Sequence, residues 1–557
     1  MKGESVTIRT GLLVGAMAAL AAGCAAHDNT VTGHGPLPPC TSAASTVSLG
    51  IGAYTAYDIT ADSGCAIFPA NASTTDSAEY LVVVQAAGGS PGDSAGYQVE
   101  ADLSAPPLTR AAAAFRPPRR RPFTQAAFDA FLHARARRLA PAMAAARLHA
   151  LAGAGAVTTV IPPVAGSLRP FSVCANLACS VYKTVVARAL SVGAHVALYV
   201  DTLAPAGGLS AADIDSLSQI FDQRVYPLDT LAFGRESDAD SNGVVIALLT
   251  PVVNALVTAA QCDTGGYIAG FFDPVDLDPS TAAQHNHGEV FYGIVPDPAG
   301  TVSCTQAVAD VTTQLPTTFA HEFEHMINFV QHVLVRGANP EDDWLDEGLA
   351  KYAEELAADS YLPGDSATWS SDIADEFYNA YQYLDAPDRH FLLTTSDQSL
   401  ADVGAGWLYV RYLVDRMGAG ITRTLVNTTL TGTANVAQAT GLPFATTAER
   451  WALATWVSDL PGFNAPGELR YTSWPLRTIF GELSAAYPQY FPLAFPLVPT
   501  VVRAGSLNLT GSLRAGSGLY LLVHQAPRGG ADTLHVNAGG SPLPTTLVPQ
   551  FAVIRLR

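Results

Sequence analysis

Two histidines four residues apart, His321 and His325, restrict the fold of this chain more than any other feature of its sequence. They lie in an apolar run, where this spacing predicts an α-helix with both imidazoles on one face and within reach of one cation. Glu322 projects beside that cation, where its carboxylate can accept a proton from a water molecule. The simpler alternative is a surface helix that carries two unrelated histidines.

A second motif follows at a distance that suits the same metal. The run Trp344-Leu345-Asp346-Glu347-Gly348-Leu349 comes after a turn rich in glycine, asparagine and proline, so a second helix is predicted there. A catalytic zinc centre uses three protein ligands and keeps a fourth position open. Glu347, 22 residues after His325, is the predicted third ligand. Glu354, two helical turns later, is predicted to accept the free N–H of a ligand histidine.

These two motifs resemble the gluzincin metallopeptidases, in which a glutamate on the following helix is the third zinc ligand. Within that group they are most similar to the hyicolysin family of secreted bacterial peptidases, which combines His-Glu-Phe-x-His-Met with Trp-Leu-x-Glu-Gly-Leu. The resemblance extends from about Phe171 to Gly462. It implies a zincin-like α+β catalytic domain with a sheet-containing N-terminal half and a helical C-terminal half.

One position departs from the family pattern. Gluzincins use a tyrosine or histidine to stabilise the oxyanion, and in this family it is expected just before Gly404, where this chain has Val403. The tyrosines that could substitute for it are Tyr381, Tyr383, Tyr409 and Tyr412.

The resemblance implies a peptidase in which His321, His325 and Glu347 hold Zn²⁺ and Glu322 is the general base. Protein or peptide substrates are expected, with endopeptidase action preferred over exopeptidase action, although no residue identifies a specificity pocket. Two other classes stay open. The chain could be a lipid-anchored surface adhesin on a catalytically decayed peptidase fold, which Val403 favours. It could also be a structural zinc protein, which would need a fourth Cys or His ligand from a distant part of the chain.

The first 24 residues predict export. Lys2 and Arg9 precede an uncharged run from Thr10 to Ala22, which is typical of a secretory signal and too short to span a bilayer. The following Gly23-Cys24 resembles a bacterial lipobox, so we expect lipidation of Cys24 and anchoring on the cell envelope or outer membrane. Cleavage at a nearby Ala-x-Ala-like site, which would release a secreted protein, is the alternative.

The remaining cysteines agree with export. Six are left when Cys24 is set aside, and an even number in an oxidising compartment predicts three disulfides. We expect the pairs Cys40–Cys65, Cys174–Cys179 and Cys262–Cys304, because each falls within one predicted unit. Free buried thiols are the alternative.

Composition limits the partners and the number of domains. The chain has 557 residues, which suggests two to four domains, and its hydrophobic content of 48% supplies ample core. Its net charge of −19 argues against nucleic acid and against an anionic membrane surface as partners. Contact with a membrane is therefore expected only through the lipid anchor, and the oligomeric state is not predicted.

The predicted order of domains places two small β-domains around the catalytic unit. A tether (25–46) precedes a β-sandwich-like domain (47–105), and a zinc metallopeptidase domain (167–485) precedes a C-terminal β-domain (486–557). Residues 106–166, between the β-sandwich-like domain and the metallopeptidase domain, are predicted to form a basic linker and a helix from about Thr124 to Leu139. This segment is either an inhibitory pro-region or a solvated basic helix.

A candidate calcium loop lies ahead of one predicted strand. Asp238, Asp240 and Asn242 offer oxygen atoms at alternate positions and precede a glycine, as in the opening of a calcium-binding loop. The twelfth position is Leu249, which excludes an EF-hand. A Ca²⁺ site completed by residues from elsewhere, or an acidic turn into a strand, fits the pattern.

Overall fold

The computed structural model describes residues 40, 45–61, 63–103, 124–153, 160–278, 285–395, 398–502 and 505–557. The predicted signal segment with Cys24, most of the predicted tether and the arginine-rich part of the predicted linker lie outside these residues. The described part is α+β, with a sheet-rich N-terminal half and a helical C-terminal half, as predicted.

The described strands form three sheets. They are β1 (Ser45–Thr46), β2 (Tyr54–Asp58), β3 (Cys65–Phe68), β4 (Ala78–Ala86), β5 (Ser94–Leu103), β6 (Leu168–Cys174), β7 (Tyr182–Val192), β8 (Val196–Asp201), β9 (Val245–Leu249), β10 (Gly270–Phe272), β11 (Val290–Gly293), β12 (Thr500–Val502), β13 (Gly505–Arg514), β14 (Gly518–Gln525), β15 (Asp532–Asn537) and β16 (Pro549–Arg555).

Most of the described α-helices lie between β11 and β12 in sequence. They are α1 (Thr124–Gly153), α2 (Ala211–Ile220), α3 (Tyr226–Ala232), α4 (Pro251–Asn254), α5 (Ala259–Gly265), α6 (Val308–Phe329), α7 (Asp343–Asp359), α8 (Ser366–Asp372), α9 (Ala374–Asp385), α10 (Leu400–Met417), α11 (Gly420–Val426), α12 (Gly432–Thr440), α13 (Phe444–Val457) and α14 (Leu476–Ala486).

The strands from the two ends of the chain form one β-sandwich, where the sequence predicted two separate β-domains. One sheet has the order β1-β3-β15-β5-β13 and the other the order β12-β14-β4-β16-β2. Each sheet therefore contains strands from both ends. Strand β5 pairs with β13 from Leu103↔Gly505 to Ser94↔Arg514. The alternation of apolar and polar residues predicted the strands, but it carried no information on which strands would be neighbours.

The central sheet has the order β10-β11-β9-β8-β7-β6 in the described part of the chain. Strands β8, β9 and β11 run parallel, and β10 pairs antiparallel with β11 at one edge. Strand β9 is buried along its whole length, in agreement with its uninterrupted apolar sequence. The free edge of β10 faces α6, because Phe272 N–H donates to Glu322 on that helix.

Helices α6 and α7 position the predicted metal ligands. Val311, Leu315, Phe319 and Phe323 recur every four residues along α6 and are buried, which fastens one face of the helix to the core. The helix continues into a π-helical segment, Val330–Val335, before the turn that leads to α7. No helix in the described ranges is both long and apolar enough to cross a membrane.

The three disulfides confirm the pairing expected from the sequence. The bonds join Cys40 to Cys65, Cys174 to Cys179 and Cys262 to Cys304. The third bond connects α5 to the loop that leads into α6, which limits the freedom of the segment preceding the two histidines.

Helix α1 differs from the solvated helix that the sequence allowed. It continues to Gly153, well beyond the predicted end near Leu139. Phe128, Leu132, Ala136 and Ala140 on its apolar side are buried in the main core. The edge of the Phe128 ring packs against Phe271 of β10, with 5.2 Å between the ring centroids.

Candidate metal centre

The predicted ligands converge on one point between α6 and α7. His321 Nε2 lies 3.0 Å from His325 Nε2. Glu347 Oε2 lies 3.7 Å from His321 Nε2, and Glu347 Oε1 lies 3.9 Å from His325 Nε2. A tetrahedral zinc with bonds of roughly 2.0–2.1 Å separates its ligand atoms by about 3.3 Å. The two imidazole nitrogens face each other, and each has a different oxygen of the Glu347 carboxylate within 4 Å, so the three side chains surround one position that an ion could occupy.

A carboxylate lies beside the Nδ1 atom of each imidazole. His321 Nδ1 lies 2.7 Å from Glu354 Oε1, the contact predicted from the sequence. His325 Nδ1 lies 3.3 Å from Asp346 Oδ2, a partner that the sequence reasoning missed. Burial lowers the pKa of His321 to about 4 and that of His325 to about 3, so both rings are neutral at physiological pH. Neutral imidazole is the form that binds a metal.

The arrangement of protons favours a cation between the rings. If each Nδ1 carries the proton, as the hydrogen bond of His321 Nδ1 to Glu354 and the nearby Asp346 carboxylate at His325 favour, both Nε2 atoms are acceptors that face each other. Burial also raises the pKa of Glu347 well above its usual range, with further contributions from neighbouring carboxylates. A divalent ion would relieve both the opposed lone pairs and the buried negative charge. The residues present therefore fit a zinc ion.

Glu322 lies beside these donors with one oxygen already engaged. The residue is buried, and its Oε2 accepts a hydrogen bond of 3.0 Å from Phe272 N. Burial raises the pKa of Glu322 well above its usual range, and the negative charge of Asp129 adds to the effect. Within the described residues, Phe272 N is the hydrogen-bond donor found for this carboxylate.

A histidine from α1 completes the wall of this cavity and was not predicted from the sequence. His133 Nδ1 lies 3.6 Å from Asp343 Oδ1 and 3.9 Å from Glu347 Oε1. The His133 and His325 rings meet edge to face at 4.9 Å. Donor atoms of His133, His325 and Glu347 can be chosen within 4.8 Å of one another. No spacing rule connects a residue in α1 with a motif so far along the chain.

The tyrosines proposed for the oxyanion are engaged elsewhere. The hydroxyl of Tyr409 bonds to Thr447, that of Tyr412 to Glu468 O, and that of Tyr381 to the backbone of Leu493. Tyr383 is fully buried and stacks on Trp451. None of the four lines the cavity beside Glu322 and His325. His133 is the imidazole that α1 contributes to that lining.

The candidate calcium loop is closed by its own hydrogen bonds. Asp238 Oδ1 accepts from Gly243 N, Asp240 Oδ2 accepts from Asn242 Nδ2, and Asn242 Oδ1 accepts from Val244 N. Arg169 also contacts Asp240, at 3.2 Å. Glu289 brings a third carboxylate near the two aspartates. The bonds account for the turn by themselves, and the calcium site stays a prediction.

Comparison with known proteins agrees with the chemistry of this centre. The chain is 32% identical over 142 residues to the neutral metalloprotease ShpI of Staphylococcus hyicus. The chain is related in sequence to a metalloprotease. The match covers 25% of this chain and 30% of that protein, so it supports a metallopeptidase in general. It does not extend to the narrower hyicolysin assignment, and no family model matches the chain.

Proposed function

We propose that this chain is an exported zinc-dependent peptidase. His321, His325 and Glu347 are the proposed ligands, and Glu322 is the proposed general base. The observation that carries the proposal is the convergence of two imidazole nitrogens, 3.0 Å apart, with the carboxylate of Glu347, whose oxygens lie 3.7 and 3.9 Å from them, beside a buried glutamate. The partial similarity to a metalloprotease supports it independently.

Zn²⁺ at this centre would act as a Lewis acid that polarises the substrate carbonyl and lowers the pKa of water to about 7. Glu322 accepts the proton of the attacking water at Oε1, because Oε2 already accepts from Phe272 N. The water oxygen bonds to the carbonyl carbon, and Glu322 then delivers the proton to the departing nitrogen as the C–N bond breaks. Glu354 keeps His321 oriented throughout by accepting from its Nδ1.

Three further statements belong to the same proposal. Export is supported by the three disulfides, which persist in oxidising compartments. Lipidation of Cys24, with anchoring to the cell envelope, is proposed from the sequence alone. Endopeptidase action on unfolded proteins is proposed ahead of exopeptidase action.

The test compares casein hydrolysis and zinc content of the purified chain with those of Glu322→Gln. Each protein is assayed before and after a brief treatment with trypsin, which is then inactivated, because α1 lies over the centre. We expect Glu322→Gln to keep one zinc per chain and to lose about 10²-fold or more in turnover. A chelator should abolish the turnover of the unaltered chain.

Asp310→Asn is the matched control, since Asp310 is an exposed carboxylate on the same helix. It should retain both zinc and activity. If Glu322→Gln cleaved casein at the unaltered rate, the assignment of the general base would be wrong. Zinc bound by the unaltered chain without turnover in either assay would favour the adhesin alternative.

A further inference from the structure

We propose that His133 is a fourth protein ligand of the metal and that α1 is an internal inhibitory helix that occupies the substrate groove. The proposal rests on the zinc centre proposed above. It assigns to the basic helix a specific role that the sequence left undecided between a pro-region and a solvated element.

His133 lies beside two of the proposed metal ligands. Its Nδ1 is buried and makes no hydrogen bond within the described residues, although it lies 3.6 Å from Asp343 Oδ1 and 3.9 Å from Glu347 Oε1. An imidazole nitrogen without a partner, beside two other candidate ligands, is placed to donate its lone pair to a shared ion. Zinc with four protein ligands is closed, whereas a catalytic centre keeps one position open for water or substrate.

The side chain of Gln125 binds the backbone at the edge of the central sheet. Strand β10 is the edge of the central sheet in the described part, and its free edge faces the metal centre. Gln125 Oε1 accepts from Ala269 N at 2.9 Å, and Gln125 Nε2 donates to Gly270 O at 3.1 Å. The carboxamide therefore occupies a backbone N–H and a backbone C=O at this edge, the kind of pair that the C=O and N–H of one residue in an extended peptide would bind.

Charge pairing fixes the helix in this position. Arg135 Nη1 lies 2.9 Å from Asp273 Oδ2, and both side chains are largely shielded from solvent. Arg137 forms an ion pair with Asp343 at the start of α7. Two of the basic residues that suggested a solvated surface, Arg135 and Arg137, are thus paired with acidic residues beside the cavity. In a chain of net charge −19, this complementarity favours docking of α1 over its release.

Helix α1 forms one wall of the cavity that contains Glu322. Asp129, Leu132, His133, Ala136 and Arg137 of α1 form one wall. The opposite wall includes Glu322 and His325. A peptide bond could reach Glu322 only if α1 moved, so the docked helix and a bound substrate exclude each other.

The β-sandwich restricts how α1 can leave. Strands β4 and β5, which precede the helix, pair with β13, β14, β15 and β16 from the other end of the chain. Loss of the whole N-terminal region would remove strands from both sheets. We therefore infer that α1 is displaced or excised while residues 45–103 stay in the sandwich.

The test uses the full chain loaded with Co²⁺ and titrated with acetohydroxamate, a small metal ligand that needs an open coordination position. We expect His133→Ala to change the visible spectrum of the bound Co²⁺ and to bind acetohydroxamate at least about tenfold more tightly than the unaltered chain. Arg138→Ala, an exposed position on the same helix, is the matched control and should behave as the unaltered chain.

A second variant, Gln125→Ala with Arg135→Ala, keeps His133 and weakens only the docking of α1. It should also bind acetohydroxamate more tightly, and it decides the question if circular dichroism shows that His133→Ala does not fold. Unchanged spectra and affinities in the folded variants would overturn the inference.

The outcomes separate this inference from the peptidase proposal. Tighter acetohydroxamate binding without casein hydrolysis, before or after trypsin, would contradict the peptidase proposal and support the inhibitory helix. Hydrolysis by the unaltered chain as purified, with no gain in hydroxamate affinity in the variants, would support the peptidase proposal and contradict the inhibitory helix. If the unaltered chain bound no metal, both would fall.

Discussion

Each imidazole of the centre depends on a carboxylate that faces its Nδ1 atom. Glu354 is hydrogen-bonded to His321 Nδ1, and Asp346 lies 3.3 Å from His325 Nδ1, while the two Nε2 atoms face each other across the proposed metal position. Glu354 also accepts from the partly buried Lys351 Nζ at 2.6 Å. The ammonium and the imidazole together hold the pKa of Glu354 at about 2, against the effect of burial, so this carboxylate is ionised.

Glu354→Ala is predicted to weaken zinc binding by roughly 10- to 100-fold, because it removes the acceptor that orients His321. Glu354→Gln should have a smaller effect, since its amide oxygen can still accept from Nδ1. The measurement is competition for zinc with a chelating indicator, after circular dichroism has established that each variant is folded. The exposed Glu482→Ala is the control. Equal zinc affinities for Glu354→Ala and the unaltered chain would contradict the orienting role.

At the scale of elements, the loop between β11 and α6 determines where the histidine helix begins. Asp297 in this loop is buried and accepts from Val302 N at 2.7 Å and from Thr301 Oγ1 at 2.9 Å. Its backbone also pairs with Gln306, and Cys304 in the same loop is bonded to Cys262. Burial acts to raise the pKa of Asp297, but these N–H and O–H donors hold it below its ordinary value of 3.8.

Asp297→Asn is predicted to lower the free energy of unfolding by about 1–3 kcal/mol at pH 7, because hydrogen bonds to a buried carboxylate are lost. A carboxyl with a depressed pKa stabilises the folded state above its unfolded pKa, and this contribution disappears as the pH falls through the folded value. The difference between the variant and the unaltered chain should therefore shrink below pH 3.8. Chemical denaturation at pH 7 and near pH 3 measures it.

The control for this prediction is Asp215→Asn, at an exposed position on α2. Its denaturation midpoint should follow that of the unaltered chain at both pH values. A difference for Asp297→Asn that stayed constant with pH would show that the loop does not depend on the ionised carboxylate.

Local sequence patterns mark the starts of two helices. Ser210 and Asp213 form a capping box at the start of α2, and Ser399 and Asp402 form another at the start of α10. Such signals act within one turn of helix. Helix α1 was also predicted from the sequence, but its partners were not, because Asp273 and Asp343 approach it only in the folded chain.

At the scale of the whole molecule, the β-sandwich joins strands from the two ends of the chain, and the part with the candidate metal centre lies between them in sequence. Gln85 of β4 donates to Ala448 O of α13, and Tyr520 of β14 donates to Ala452 O of the same helix. The sandwich therefore packs directly on the helical half. A domain division read along the sequence separates strands that the structure pairs.

A chain cut within residues 104–123 is predicted to remain in one piece under native conditions. A cleavage site for a specific protease is inserted there, and the cut protein is run on a sizing column with and without denaturant. We expect co-elution without denaturant, because β4 and β5 pair with strands of the C-terminal piece, and separation in denaturant. The described disulfides do not join the two pieces. Separation under native conditions would contradict a shared sandwich.

The residues of the centre could be predicted from the sequence because helical periodicity is a local property of the chain. The spacings from His321 to His325 and from Glu347 to Glu354 follow from 3.6 residues per turn, whatever the rest of the chain does. The pairing of cysteines that are near in sequence was accessible for a related reason, since each lies within one unit.

Tertiary structure alone decided the pairing of β5 with β13, the contact of Asp346 with His325, and the placement of His133 beside Glu347. These contacts join segments whose periodicities are equally compatible with other neighbours. Their selection depends on the burial of apolar faces and on the pairing of buried charges over the whole molecule, and neither is encoded within a window of one helix or strand.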